Sequence, residues 1–133
     1  MTEKIAQWLS QWAGEDIAVV CECTEMMPGR MGVYRRGVVS RQEYPDGSAD
    51  TVVRFGIEIC LWTQTQADRQ AACAQIDGIE GWIRAQDAAG NLPETEEGEC
   101  WRAEIVNGFA MKRSGAAESV FAAEMDVYVL MDA

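Results

Sequence analysis

Residues 53–61 read Val-Arg-Phe-Gly-Ile-Glu-Ile-Cys-Leu, and this stretch decides the fold. Its odd-numbered positions are all apolar, whereas the even-numbered positions carry Arg54, Gly56, Glu58 and Cys60. Because side chains along a strand point alternately to its two faces, this period of two predicts a strand with one apolar face. A sheet built around such a strand is covered on one side. We therefore expect helices to pack on that side.

A turn precedes this strand. Residues 44–48 read Tyr-Pro-Asp-Gly-Ser, and Pro-Asp-Gly is typical turn chemistry. Residues 31–44 are predicted to be extended, with a bulge or a break suggested by Gly32 and Gly37. The result is a long hairpin over residues 31–63 that could reach a neighbouring subunit. Tyr44 and Asp46, at its tip, are candidate interface residues.

A helix is predicted after the hairpin. Thr65 and Asp68 have the spacing of a capping box, and the helix is expected to end before Gly90. Gly78 and Gly81 each weaken it by about 1 kcal/mol relative to Ala, and they either allow close backbone packing or are simply tolerated. A stripe predicted to face the sheet recurs at helical spacing: Ala72, Ile76, Ile79 and Ile83.

Another helix is predicted at the start of the chain, capped by Thr2 and stopped by Gly14. Its apolar face comprises Ile5, Trp8, Leu9 and Trp12. Two interpretations are open. The face packs in the core of the same chain, or Trp8 and Trp12 dock a partner, since tryptophan is enriched at interfaces.

Three further strands complete the pattern. A short one over residues 17–24 places Cys21 and Cys23 on one face. Another runs from about Cys100 to Val106 and ends at an Asn-Gly turn at residues 107–108, and the last covers about residues 119–131. The order is α-β-β-β-α-β-β. We predict a single domain over residues 1–133, of the α+β class, with two helices on an antiparallel or mixed sheet of four to five strands.

The chain carries 22 acidic and 11 basic residues, a formal net charge of −11. This sign disfavours tight binding to nucleic acid. The basic residues cluster in one place, where Arg35 and Arg36 are flanked by Arg30 and Arg41. That patch is either a binding surface for an acidic partner subunit or a solvated strand face.

The sequence indicates no catalytic, cofactor or metal site, so we expect a protein that is not an enzyme. It contains no histidine, the commonest general base and metal ligand. The five cysteines have no compact motif spacing and are predicted to pack as small hydrophobic groups. The acidic residues of segment 94–99 are expected to be solvated, and no phosphate-binding glycine loop occurs.

No apolar run approaches the ~20 residues that a membrane span requires, and the N-terminus lacks the layout of a signal peptide. We therefore predict production in a cytosol without a membrane partner.

The middle of the chain resembles the minor capsid or tail-completion proteins of long-tailed bacteriophages and prophages, known as tail terminators. The resemblance spans residues 38–131. It rests on the segment 38–48, the alternating strand up to Trp62 and four short motifs in the same order. Those motifs are Asp68-Arg69, Trp82-Ile83, Leu92-Pro93 and Tyr128-Val129-Leu130.

The resemblance implies an α+β fold, no enzymatic activity and no cofactor. It also implies self-assembly into a ring, usually a hexamer, that caps the tail tube and meets the head–tail connector protein. The expected location is then the virion tail after assembly and the bacterial cytoplasm during production. An acidic ring lumen would let DNA pass without adhering. The alternative is a small cytosolic ligand- or protein-binding module, with a pocket between helix and sheet.

Overall fold

The computed structural model describes residues 1–132. Its elements, in chain order, are α1 (Thr2–Ala13), β1 (Ala18–Cys21), β2 (Arg30–Glu43), β3 (Ala49–Trp62), α2 (Gln66–Ala89), β4 (Gly98–Ser114) and β5 (Glu118–Met131). The predicted α+β class and element order are confirmed. Neither helix is both long enough and apolar enough to cross a membrane, within the residues described.

The five strands form one mixed sheet in the order β1-β2-β3-β5-β4. Only the β1–β2 pair is parallel, and the other pairs are antiparallel. The alternating strand, β3, lies at the centre and pairs with β5 along its whole length, from Ala49–Met131 to Trp62–Glu118. Its apolar positions, Val53, Phe55, Ile57 and Ile59 among them, are fully buried.

The hairpin between β2 and β3 has the predicted tip. The backbone N–H of Tyr44 donates to the carbonyl of Ser48 at 2.8 Å, and Gly47 adopts a φ of 89° that favours glycine. A bulge follows Arg35, with Gly37 at a φ of 132°, and a second lies between Val38 and Ser40. Since Ala49 pairs with both Glu43 and Met131, only the tip extends past the sheet.

The first strand is shorter than the sequence suggests. It ends at Cys21, because Glu22 turns the chain with a left-handed φ of 48° and residues 22–29 lead back to the start of β2. Cys23 therefore lies in a loop, and the prediction that it shares a strand face with Cys21 is wrong. The Tyr34 hydroxyl donates to the Cys23 carbonyl at 2.7 Å and fastens this loop to β2.

The helix ends are set partly by side chains and partly by contacts distant in sequence. Thr65 and Asp68 form the predicted capping box of α2, and Gly90 ends that helix in the left-handed conformation. Gly14 ends α1 as predicted, but Thr2 does not cap it: the N-cap residue is Met1. The amino group of Met1 instead lies 3.3 Å from a carboxylate oxygen of Glu97.

Strand β4 departs most from the prediction. It continues to Ser114, and residues 107–110 form a bulge instead of the expected turn. The Asn107 amide donates to Glu124 on β5 at 2.7 Å, and the N–H of Phe109 donates to Glu80 of α2 at 2.9 Å. Because the partners of Asn107 and Phe109 lie on β5 and α2, the Asn-Gly pair alone does not indicate this bulge.

Both helices pack on one face of the sheet and share one hydrophobic core with it. The predicted stripe of α2 faces this core, where Ala72, Ile79 and Ile83 are buried. A methyl group on Gly81 would meet no atom within 4 Å, and one on Gly78 would make an ordinary contact of 3.7 Å with Trp12. Gly81 is therefore tolerated and mediates no close packing.

Replacing Gly81 by Ala is expected to raise the free energy of unfolding by about 1 kcal/mol, since alanine favours helix and the added methyl group meets no neighbour. The matched change Gly90→Ala should lower it, because the φ of 76° strains any side chain there. Urea unfolding of both variants measures the difference. A less stable Gly81→Ala protein would contradict the placement of this residue.

Candidate interaction surface on the open face of the sheet

The side of the sheet without helices carries most of the charged side chains of the strands. We call it the open face. The register places Arg54 opposite Asp126 and Glu58 opposite Ala122, so the even-numbered residues of β3 and β5 share this face. No helix covers this face, because both helices pack in the core on the other side.

An ion pair lies at the centre of the open face. Arg54 binds the Asp126 carboxylate through two hydrogen bonds of 2.8 and 3.0 Å. The Asp126 side chain is only 6% exposed, whereas that of Arg54 is 32% exposed. Beside them, the Tyr128 hydroxyl donates to Glu104 at 2.6 Å, which joins β5 to β4.

An aromatic and arginine cluster adjoins this pair. Trp101 packs edge-on against Tyr128 with 5.1 Å between ring centroids, and the Arg102 guanidinium lies 5.3 Å from the centroid of the same ring. The register shift between Cys100 and Arg102 leaves Trp101 unpaired, and its side chain is half exposed. Exposed tryptophan and arginine are the residue types enriched in protein interfaces.

A pocket of about 390 Å³ lies at one end of the open face, between loop 22–29, β2 and the end of β4. We call it the basic pocket. Its walls include three cationic side chains, Arg36, Lys112 and Arg113, and one carboxylate, Glu58. Lys112 Nζ lies 2.8 Å from Glu58 Oε2, and Arg36 Nη2 lies 3.8 Å from the same oxygen. Arg113 forms no ion pair within residues 1–132.

Two positions without side chains make room for the walls of this pocket. A Cβ atom on Gly56 would lie 2.7 Å from Arg36 Nε, and one on Gly32 would collide with the Tyr34 ring. The Arg36 guanidinium lies 5.6 Å from the Tyr34 ring centroid. Burial, together with the nearby Glu58 carboxylate, raises the pKa of Tyr34 to about 12. Tyr34 is therefore an uncharged hydrogen-bonding wall at neutral pH.

The two tryptophans predicted as a possible docking pair lie against the core. Trp8 is 4% exposed, donates its indole N–H to the Asn91 carbonyl at 2.8 Å and packs at 4.9 Å against Trp82. Trp12 is partly buried against the same core. For Trp8 the core-packing interpretation holds, because a partner has no access to its side chain.

The predicted arginine patch is divided by the bulge in β2. Arg35 pairs with Phe55, so it belongs to the helix-covered side of the sheet, but its side chain is exposed. Arg36 lies on the open face. Arg30 donates to the Glu25 carbonyl at 2.9 Å, and Arg41 pairs with Glu43. Of the four, only Arg36 lines the basic pocket.

The hairpin tip is exposed, as a contact site would have to be, but its polar groups are engaged locally. The Tyr44 hydroxyl donates to the Asp50 carboxylate. Asp46 accepts from the side chain and the backbone N–H of Ser48, which lowers the pKa of the Asp46 carboxyl. The tip lies at the opposite end of β2 from the basic pocket.

The pocket residues that sequence reasoning missed are Glu58, Lys112 and Arg113. The available signal was a carboxylate at position 58 between two apolar positions of the central strand, because a carboxylate requires a cationic partner when buried. Lys112 and Arg113 follow the predicted end of the strand at residues 100–106, so the sequence does not place them in the sheet. Its place on the open face depends on the bulges of β4, which no local pattern indicates.

The cysteines are all free thiols with different surroundings. Cys60 is buried and Cys100 is partly buried, as core packing predicts, and burial raises the pKa of Cys100 to about 11. Cys73 is exposed on α2, so the core-packing prediction is wrong for it. No group of three metal-ligating side chains in residues 1–132 has the geometry to hold a metal ion.

The sequence matches no known protein-family model and no curated protein.

Replacing Arg54 by Ala is expected to destabilise the protein more than replacing Asp126 by Ala, although Arg54 is the more exposed of the two. The first change leaves a carboxylate buried without its partner, whereas a lone guanidinium at position 54 still reaches solvent. Urea midpoints of the two variants test this order. Arg41→Ala, which breaks an exposed ion pair, is the control and should change stability little. Equal midpoints for the two central variants would contradict it.

Thiol labelling should separate the cysteines by exposure. Cys73 is expected to react first with iodoacetamide, and Cys60 and Cys100 last. At pH 8 a pKa of about 11 leaves Cys100 with about a hundredfold less thiolate than its ordinary pKa of 9.0 would give, and burial slows the reaction further. Mass spectrometry of timed digests gives the order. Fast labelling of Cys100 in the folded protein would contradict the structure.

Proposed function

We propose that this chain is a structural component of a long-tailed phage or prophage tail, a tail-terminator or head–tail joining protein. In this role it forms a ring and binds the tail-tube protein and the head–tail connector. The observation that carries the proposal is the ordered set of motifs between residues 38 and 131, which resembles that group.

The structural positions of these motifs support a shared fold over that span. Asp68 belongs to the capping box that starts α2, Trp82 packs on Trp8, and Ile83 is buried in the core. The segment 38–48 contains the hairpin tip, and Tyr128 lies at the centre of the open face. Several of the motifs on which the resemblance rests therefore lie at positions that matter for this chain's own fold.

The distribution of charge is compatible with a ring through which DNA passes. Residues 1–17 and 63–93, which contain both helices, carry seven acidic and three basic residues, and the rest of the chain carries fifteen and eight. A lumen lined by the helical side would repel phosphate and leave DNA free to slide. The sheet side, where three cationic side chains line the basic pocket, would then be available for protein contacts.

A specific groove favours the alternative function, a small binding module. A space of about 440 Å³ lies between α2 and β4, lined by Glu80, Arg84, Asp87 and Arg102 among others. Asp87 and Glu80 already accept backbone N–H groups of Ala103 and Phe109 at 3.0 and 2.9 Å. A small molecule that copurifies in this groove would support the alternative.

Electron microscopy of particles made with and without this gene tests the proposal. Its deletion is expected to give tails of irregular length or heads and tails that fail to join, and complementation with the unaltered gene should restore them. Complementation with the Gly81→Ala gene is the matched control, since the change adds a methyl group that meets no neighbour. Normal tails, joined to heads, in the deletion strain would overturn the proposal.

A further inference from the structure

The two ends of the sheet differ in charge. Glu43, Ala49, Met131 and Gly98 lie side by side across four strands, so the hairpin tip and the start of β4 share one end. We call this end the acidic end. It carries eight carboxylates: Glu43, Asp46, Asp50, Glu94, Glu96, Glu97, Glu99 and Asp132.

The basic pocket lies at the opposite end. Lys112 and Arg113 stand near the end of β4, whereas Glu99 stands near its beginning. At a rise of about 3.3 Å per residue, the 13 steps between Glu99 and Lys112 span roughly 40 Å. At physiological salt the Debye length is about 8 Å, so these opposite charges do not neutralise each other within one molecule.

The basic pocket has unused capacity for anionic groups. Three cations surround the single carboxylate of Glu58, and Arg113 is exposed without an ion pair in the described chain. At the acidic end, Glu97 pairs with the amino group of Met1. Glu94, Glu96 and Glu99 are exposed, and none of the ion pairs within residues 1–132 includes them.

We propose that the basic pocket binds the acidic segment 94–99 of a second copy of this chain. Carboxylates of one copy would lie against Arg36, Lys112 and Arg113 of the next. Since the two surfaces differ and lie at opposite ends, the contact is head-to-tail, and it closes into a ring where the rotation between copies allows. The inference rests on the ring-forming role proposed above and names the surfaces that form the ring.

A second copy fits this pocket better than a nucleic acid. A nucleic acid carries a phosphate at every nucleotide, and it would extend from the pocket over the other surfaces of a chain with 22 acidic and 11 basic residues. The segment 94–99 brings four carboxylates to a pocket that three cationic side chains line.

Sedimentation velocity over a range of protein concentrations in about 150 mM salt, where long-range repulsion is screened, measures the association. The pocket variant is Lys112→Gln with Arg113→Glu, and the acidic variant is Glu94→Lys with Glu96→Lys. Each is expected to weaken association about tenfold or more. The chain that carries all four changes should recover much of the loss, because the charges are complementary again.

The matched control is Glu15→Lys with Asp77→Lys, two exposed sites on the helical side. It shifts the net charge by the same amount as the acidic variant, so it reduces general repulsion equally. Association of the control should be unchanged or stronger. If the acidic variant associates more weakly and the control does not, the change in net charge is not the cause. The result then identifies the segment 94–99 itself as the contact.

Three outcomes of the association measurements would overturn the inference. These are a wild-type chain that stays monomeric throughout, an acidic variant that behaves like the control, and a four-change chain that regains nothing. A folding defect in the double variant could also weaken association. Arg113→Glu alone breaks no ion pair of the described chain, so weaker association of this single variant points to the pocket and not to misfolding. Circular dichroism checks the fold of the double variant as well. Inorganic phosphate that binds the pocket while the copies stay apart would also overturn it.

Failure of this inference differs from failure of the proposed function. If the charge changes at the two surfaces leave association unaltered while deletion of the gene still disrupts tails, the tail role stands and the named contact is wrong. If association follows the charge changes while the deletion strain makes normal tails, the contact stands and the tail role is wrong.

Discussion

The central strand, β3, imposes the constraint on which the other features depend. Its buried face places Val53, Phe55, Ile57 and Ile59 in the core that both helices share, and each such side chain contributes about 1.5–3 kcal/mol on burial. A slip of one residue would turn this face to solvent and bring Arg54 and Glu58 into the core. The apolar alternation therefore fixes the register with β2 and β5 at once, because β3 pairs with both.

That register also determines which polar groups meet on the open face. Arg54 faces Asp126 because Val53 faces Val127, one position away on the buried side. Likewise Gly56 lies beside Tyr34 and leaves space that Arg36 occupies. The space that Arg36 occupies in the wall of the basic pocket is therefore set by the same strand pairing that buries the apolar face.

Sequence reasoning predicted the features whose signals are local. The β3 alternation, the tip at residues 44–48, the Thr65 capping box and the α2 stripe all depend on residues within a few positions of one another. The misplaced features depend on distant partners. The Asn-Gly pair at residues 107–108 is a common turn signal, yet β5 and Glu80 of α2 hold it in a bulge. Trp8 is buried because Asn91 and Trp82, about 80 residues away, complete its surroundings.

The edges of the sheet bear on how such a chain could assemble. The second half of β2 is an open edge, but two bulges interrupt it, and bulged edges resist pairing with another strand. On β4 the backbone N–H groups of Ala103 and Phe109 are already taken by Asp87 and Glu80 of α2. Strand addition is therefore disfavoured at both long edges. Any contact between copies would then rely on side chains, and in a chain of net charge −11 a contact that brings carboxylates against cations offsets the general repulsion.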